Sequence, residues 1–147
     1  MTTDALTLVE LDPPKRGGNA FTDSQEFVAV WWKGHNEGIH WITVGMGDIE
    51  VARVKFTLGY PDPHPLLGPM PEGQLDILGL EVARSMRRQG IGRDTIALVR
   101  STYPGPRMTA LNDDAESAKF WDGIGWHRFE SAHEVFRRSD RVTYAEH

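Results

Sequence analysis

The stretch Leu80-Glu81-Val82-Ala83-Arg84-Ser85-Met86-Arg87-Arg88-Gln89-Gly90-Ile91-Gly92 joins two predicted elements through a polar turn. The apolar residues 75–83 before the turn predict a strand, and residues 91–102 after it repeat their apolar positions with the period of a helix. Glycines at a helix start let backbone N–H donors approach a phosphate, and the positive end of the helix dipole favours an anion. The stretch therefore predicts an anion-binding loop between a strand and a helix. A solvated arginine-rich loop with packing glycines is the structural alternative.

The loop differs from the two common nucleotide-binding motifs. No Gly-Lys-Ser/Thr follows it, so it is not a Walker A loop, and Gly-x-Gly-x-x-Gly of dinucleotide-binding folds is absent. The loop instead carries four arginines within a stretch of ten residues, although the protein as a whole has a net negative charge: Arg84, Arg87, Arg88 and Arg93. Such a local cationic cluster favours a local anionic ligand.

Composition narrows the class of protein. The chain has 147 residues, 39% apolar and 25% charged, which predicts a single globular domain over residues 1–147. A net charge of −5 argues against general nucleic-acid binding, and the absence of cysteine excludes disulfides and thiolate chemistry. The longest apolar run, residues 27–32, is too short to span a bilayer, and no secretory signal opens the sequence. We therefore expect a cytoplasmic protein without membrane partners.

The remaining elements are predicted from periodicity and turn residues. A helix is expected to begin at residues 22–25 and to continue through 27–32, although the latter run would also suit a buried strand. Residues 60–73 carry five prolines and predict a structured loop. The other predicted elements are strands at 5–11, 39–44, 51–56, 107–111, 126–129 and 134–138, and a helix from Asp114 to Ile124.

Two blocks of the sequence resemble one known family. Residues 80–92 resemble the acyl-CoA-binding motif of the GNAT superfamily of N-acetyltransferases, Arg/Gln-x-x-Gly-x-Gly/Ala after a Leu-x-Val strand. Downstream, residues 114–126 (DAESAKFWDGIGW) resemble the family block Asn-x-x-Ala/Ser-x-x-Phe-Tyr-x-x-x-Gly-Phe. The resemblance implies an α/β (α+β) fold, with a mixed, mostly antiparallel central sheet flanked by helices. Two splayed strands of that sheet would form an acyl-CoA cleft.

The resemblance also implies residue roles toward acetyl-CoA, the expected cosubstrate. Main-chain groups of Leu80 and Val82 would hold the pantetheine arm, and the Leu80 N–H would polarise the thioester carbonyl. Gly79 suits a strand bulge in this family, or tight packing within a buried strand. The remaining cofactor-binding residues implied are Arg87, Arg88, Gln89, Gly90, Ile91, Gly92, Arg93, Ser117 and Trp121.

The family's reaction is direct attack of an amine on the thioester, which needs the amine to lose a proton. Asp76 resembles, in strand register, the catalytic glutamate of the histone-acetyltransferase branch, and strand period two puts it on the same face as Leu80. A solvated carboxylate is the alternative. The sequence departs from the family at Trp121, where a tyrosine often serves as the acid, and at Asp114, where asparagine is usual.

We therefore predict an N-acetyltransferase that uses acetyl-CoA and an amine acceptor. A non-catalytic acyl-CoA-binding or regulatory module is the alternative, and a nucleotide-binding regulator ranks third. No metal is expected, because the histidines lack ligand spacing on a helix face, although His64 and His127 could line an acceptor pocket. A homodimer is compatible with the family.

Overall fold

The computed structural model describes residues 5–28, 30–34, 37–59, 63–112, 114–129 and 142–146. These ranges contain seven strands, two α-helices and one short 3₁₀ turn, Arg84–Met86. The strands are β1 Leu6–Leu11, β2 Ile39–Met46, β3 Ile49–Gly59, β4 Gln74–Val82, β5 Arg107–Asn112, β6 His127–Phe129 and β7 Val142–Ala145. The helices are α1 Ile91–Thr102 and α2 Ala115–Gly123. Neither helix of the described residues is long and apolar enough to cross a bilayer.

The strands form one mixed sheet in the order β1-β2-β3-β4-β5-β7-β6. The β1–β2, β5–β7 and β6–β7 pairs are antiparallel, whereas β4 and β5 are parallel. The predicted α+β class with a mostly antiparallel sheet is confirmed. A parallel pair needs a crossover connection, and α1 lies in the segment that joins β4 to β5.

Most predicted elements appear within one or two residues of their expected bounds. Helix α1 covers the predicted range, and Asp114 is the N-cap of α2, as expected. Strand β4 buries Leu75, Ile77 and Glu81 on one face, the alternation that its sequence predicts. These elements were predictable because their periodicity and end signals agree.

The helix predicted over residues 22–32 is wrong. The described residues of this segment form turns. The Glu26 N–H donates to Ser24 Oγ at 3.2 Å and not to the Thr22 carbonyl, its partner in a first helical turn, which accepts from Arg53 instead. The Val28 N–H donates to the Glu81 carboxylate, so a partner distant in sequence has replaced the helical one. The predicted strand at 134–138 lies outside the described residues.

The chain divides into two compact units, residues 1–56 with 79–104 and residues 57–78 with 105–147. The first unit has an aromatic core beneath the turns of the 20–34 segment, formed by Phe21, Phe27, Trp32, Ile39, Trp41 and Ala83. The single-domain expectation stays a prediction.

Two cations of β3 fasten the 20–34 segment within the first unit. Arg53, only 1% exposed, donates from Nη2 to the Thr22 carbonyl at 2.8 Å and to Glu50 Oε1 at 2.9 Å. Lys55 donates from Nζ to the Trp31 carbonyl at 2.8 Å, and its burial lowers the pKa of the ammonium. These bonds replace the internal hydrogen bonds that a helix would have supplied.

Candidate active site

The arginine-rich loop of the first unit runs from the end of β4 into α1. Gly90 is the N-cap of α1 with φ +79°, and no side chain caps the helix start. Arg88, Gln89 and Arg93 are exposed, whereas Ile91 and Gly92 are buried. The free first-turn N–H groups and the exposed guanidinium groups together can bind a phosphate.

Arg88 has a left-handed backbone with φ +66°, and no other non-glycine residue does so in the described part of the chain. This conformation costs an L-residue about 1–2 kcal/mol. Strained positions of this kind occur preferentially at ligand-binding sites. Two left-handed residues two positions apart, Arg88 and Gly90, turn the loop sharply before the helix begins.

Arg87 is anchored to the end of β4. Its Nε donates to the Val82 carbonyl at 3.4 Å, and its Nη2 lies 3.8 Å from Glu81 Oε2. The side chain nevertheless stays 54% exposed. The guanidinium group is therefore held at the end of β4, and its exposed side can still bind an anion.

Glu81 is the organising carboxylate of the first unit, a role that its place on the strand alone did not reveal. It is 8% exposed and accepts hydrogen bonds from the Val28 N–H at 3.0 Å and from both indoles, Trp31 Nε1 at 2.7 Å and Trp32 Nε1 at 2.8 Å. The sequence does contain a signal for this role. In the strand LDILGLEV, Glu81 falls on the same alternating face as Leu75 and Ile77, and a charge on a buried face must be paired.

A second carboxylate joins the same turns to the loop. Glu26 Oε2 accepts from the Ser85 N–H at 2.8 Å, and the Glu26 carbonyl accepts from the Arg84 N–H at 3.2 Å. Glu26 and Glu81 thus connect the 24–32 segment to the loop that precedes α1.

Gly79 explains how the Trp31 ring reaches β4. A Cβ at position 79 would overlap the six-membered ring of Trp31. This contact accounts for the glycine by tight packing, the second of the two roles considered for it.

Leu80 and Val82 are partly exposed, and they follow the part of β4 that pairs with β5. The β4–β5 register runs from Gln74↔Arg107 to Ile77↔Ala110 and ends there, although β4 continues to Val82. The family resemblance implies that the main-chain groups of Leu80 and Val82, beyond the β5-paired part of β4, bind pantetheine, and this role stays a prediction.

Asp76 lies in the second unit, at the paired end of β4. Thr109 Oγ1 donates to Asp76 Oδ1 at 2.9 Å and accepts from Gln74 Nε2 at 2.8 Å. Burial raises the pKa of the Asp76 carboxyl above its ordinary 3.8, while the Thr109 hydrogen bond and the charge of His64 act in the opposite direction. A half-buried carboxyl with a raised pKa has the properties of a general base.

His64 is held by its own loop in the second unit. His64 and Gly68 exchange backbone hydrogen bonds of 2.7 and 2.9 Å, and Nδ1 accepts from the Leu66 and Leu67 N–H groups at 3.0 and 3.2 Å. Nδ1 is therefore unprotonated in the neutral ring, which leaves the proton on Nε2. Burial lowers the pKa of His64, against the attraction of Asp76, and Arg107 lowers it further.

At the level of sequence, neither a protein-family model nor a curated protein matches the chain. Solved structures match it in fold. An acetyltransferase from Thermus thermophilus has 17% identity and a TM-score of 0.56 over 76% of this chain, which spans only 65% of that protein. The Bacillus subtilis N-acetyltransferase YlbP, in complex with coenzyme A, has 18% identity and a TM-score of 0.56, with 80% of this chain and 72% of that one covered. A mutant of the AtaT toxin, bound to the C-terminus of the antitoxin AtaR and to acetyl-CoA, has 12% identity and a TM-score of 0.61, with 97% and 94% covered.

The chain has the GNAT fold. Its strand–loop–helix unit, β4 to α1, carries the first of the two GNAT-like sequence blocks, and α2 carries the second. Both blocks were therefore placed on the correct elements by the sequence.

The second GNAT-like block forms a capped helix in the second unit. Asp114 Oδ1 accepts from the Ser117 N–H at 2.7 Å, so aspartate performs the capping that asparagine would. Trp121 is 5% exposed and stacks on Trp126 with ring centroids 4.5 Å apart. The proposed cofactor contacts of Ser117 and Trp121 stay predictions.

The histidines form no metal centre within the described ranges, where no three His, Asp or Glu side chains cluster. His40 contacts Glu10 at 2.6 Å and stacks on Phe56, so it serves packing. His35, His133 and His147 lie outside the described residues.

Proposed function

We propose that this protein is an acetyl-CoA-dependent N-acetyltransferase. The observation that carries the proposal is the loop between β4 and α1, where a strained Arg88 and an uncapped helix start present N–H donors beside exposed arginines. The YlbP structure holds coenzyme A and the AtaT structure holds acetyl-CoA, which supports the same cosubstrate here. The acceptor would be an amine, and the net charge of −5 favours a cationic one.

Different residues would bind the pyrophosphate, the pantetheine arm and the thioester of acetyl-CoA. The pyrophosphate would meet the N–H groups of Gly90, Ile91 and Gly92 with the side chains of Arg87, Arg88, Gln89 and Arg93. Main-chain groups of Leu80 and Val82 would hold the pantetheine arm as an added strand does. The Leu80 N–H would stabilise the oxyanion that forms from the thioester carbonyl.

The reaction needs one base. Asp76, ionised, takes a proton from the acceptor ammonium, and the freed nitrogen lone pair attacks the thioester carbon. The C–S bond then breaks, and the electron pair leaves with sulfur as the CoA thiolate. The nitrogen gives up its second proton to solvent or to the thiolate, which completes the neutral amide. Because a thiol pKa of about 8.5 makes the thiolate a tolerable leaving group, no enzymic acid is required at Trp121, whose indole does not ionise usefully.

Calorimetric titration with acetyl-CoA, CoA and ATP in parallel tests the cosubstrate. We expect micromolar binding of both CoA species and none of ATP. Binding of ATP in competition with CoA would support a nucleotide-binding regulator, and failure of either CoA species to bind would overturn the proposal.

The second candidate function is an acyl-CoA-binding module without turnover. Trp121, buried against Trp126 where many GNAT enzymes carry a tyrosine acid, favours it. Release of CoA from acetyl-CoA with a panel of polyamines, aminoglycosides and peptide amines separates the two candidates. An enzyme releases CoA with at least one amine, whereas a binding module binds the thioester and releases none.

A further inference from the structure

The hydroxyl of Thr109 connects Gln74 to Asp76 within the second unit. Thr109 is fully buried and lies across from Asp76 in the parallel β4–β5 register. A hydroxyl has one proton, and here it is donated to Asp76 Oδ1, while a lone pair of the same oxygen accepts from Gln74 Nε2. The hydrogen bonds therefore run in one direction: the Gln74 amide donates to the Thr109 hydroxyl, and the hydroxyl donates to the Asp76 carboxylate.

We propose that Thr109 and Gln74 are positioning residues that hold Asp76 as an ionised base, with Oδ1 fixed and Oδ2 directed to the acceptor amine. The proposal rests on the proposed function. Its basis is the geometry of the chain: the Gln74 amide orients the Thr109 hydroxyl, and the hydroxyl in turn fixes the carboxylate. Within the described part of the chain, the hydrogen bond to this carboxylate falls on Oδ1 and leaves Oδ2 to a substrate.

The surroundings of Asp76 make such support necessary. Burial favours the protonated carboxyl, which cannot act as a base, and the Thr109 hydrogen bond opposes that effect by lowering the pKa. The other ionisable groups that face the site are His64, from the proline-rich loop, and Arg107, which acts on His64. The Leu66 and Leu67 N–H groups donate to His64 Nδ1, and both these hydrogen bonds and burial favour the neutral imidazole, which weakens its attraction for the Asp76 carboxylate.

Two variants at position 109 separate positioning from packing. Thr109→Val keeps the branched shape and removes the hydroxyl, whereas Thr109→Ser keeps the hydroxyl and is the matched control. The carboxyl of Asp76 is titrated by NMR in protein labelled with ¹³C at the aspartate carboxyls, and Asp76→Asn identifies its signal. We expect the titration midpoint to move to higher pH in Thr109→Val and to stay near wild type in Thr109→Ser.

The kinetic arm uses acetyl-CoA and the most active amine of the turnover panel. Thr109→Val is expected to move the acidic limb of the kcat/KM profile to higher pH. On that limb kcat/KM should fall about tenfold, because a hydrogen bond to a charged group contributes about 1.5 kcal/mol or more. At alkaline pH the loss of kcat/KM should be smaller. Gln74→Leu, a change at a half-exposed side chain, should move the limb in the same direction by less. It serves as the test if Thr109→Val fails to fold.

The outcomes separate this proposal from the proposed function. An acidic limb in Asp76→Asn that matches wild type in both position and rate would remove Asp76 as the base and overturn the proposed mechanism. If Asp76→Asn changes the limb while Thr109→Val and Gln74→Leu leave both the limb and the NMR midpoint unchanged, the positioning roles alone are overturned. A midpoint that moves without the limb also overturns them, because the hydrogen bond then has no catalytic effect.

Discussion

At the scale of single residues, Asp76 and Gly79 show how function and packing determine the residue type at a position. In the proposed mechanism Asp76 acts as an ionised base, yet its burial raises the pKa of the carboxyl and makes its charge unfavourable in the folded state. Gly79 has the simpler role of making room, since the Trp31 ring occupies the space of a side chain. Both positions predict a measurable consequence of a one-residue change.

Asp76→Asn is expected to stabilise the protein at pH 7 while it lowers turnover. The folded pKa of Asp76 is raised, so ionisation above that pKa destabilises the folded state, and a neutral amide removes this effect. The gain should shrink as the pH falls through the folded pKa and vanish only below 3.8, where the wild-type carboxyl is protonated in the folded and the unfolded state. Urea unfolding at pH 7 and at about pH 3 measures it, and equal stabilities at pH 7 would contradict the prediction.

Turnover in Asp76→Asn should fall mainly at lower pH, with acetyl-CoA affinity unchanged. At alkaline pH the acceptor amine loses its proton to solvent, so the base is needed less. A pH profile of kcat/KM tests this, and calorimetry with acetyl-CoA provides the control.

Gly79→Ala is expected to destabilise the protein by about 1–3 kcal/mol, because the added methyl overlaps the Trp31 ring in a packed region. Gly105→Ala is the matched control, since a methyl group at that position meets nothing within 4 Å. Urea unfolding should show a loss for the first variant and a change within about 0.5 kcal/mol for the second. Equal effects would show that Trp31 moves freely.

At the scale of elements, the start of α1 is the feature on which the proposed binding of acetyl-CoA depends most. Its first turn has no side-chain cap, and Gly90 precedes it in a left-handed conformation. Glycine adopts this left-handed conformation without strain, and because it has no side chain, the first N–H groups of α1 stay accessible to a ligand. Helix α2 begins differently, because Asp114 caps it from within the chain.

Gly90→Glu is expected to abolish binding of acetyl-CoA, because the new carboxylate would repel the pyrophosphate. Gly90→Ala is the matched control: it introduces the left-handed strain of about 1 kcal/mol without a charge. Calorimetry should therefore show weakened binding for alanine and none for glutamate. Full affinity in Gly90→Glu would overturn the assignment of the loop.

At the scale of the whole molecule, the 24–32 segment is tied to the β4–α1 loop by carboxylates that are distant from their partners in sequence. Glu81 binds Val28, Trp31 and Trp32, and Glu26 binds Ser85. These bonds within the first unit connect the proposed pyrophosphate loop to aromatic turns. Changes in the turns should therefore affect the stability of the unit as a whole.

Glu81→Gln is expected to lower the free energy of unfolding by about 2–3 kcal/mol. The amide puts an NH2 donor in place of one carboxylate oxygen. Where it replaces Oε2 it cannot accept from the Val28 N–H, and the hydrogen bonds from Trp31 and Trp32 to Oε1 lose the negative charge of their acceptor. Urea unfolding followed by tryptophan fluorescence measures the loss. Glu116→Gln, an exposed change on α2, is the control and should leave stability unchanged.

Local signals in the chain were enough to place α1, the capped α2, the β2–β3 hairpin strands, and the glycine loop between β4 and α1. In each, periodicity and end residues agree, so no distant contact was needed to predict them. The 22–32 segment was mispredicted because its backbone carbonyls accept from side chains of β3, while the Val28 N–H and the indoles of Trp31 and Trp32 donate to Glu81 on β4, far away in sequence. Likewise, Asp76 could be proposed from its strand register, but only the parallel pairing of β4 with β5 brings the Thr109 hydroxyl to the Asp76 carboxyl and to the Gln74 amide. Local hydrogen bonds and periodicity are written in neighbouring residues, whereas the partners of a buried charge are chosen by the tertiary structure.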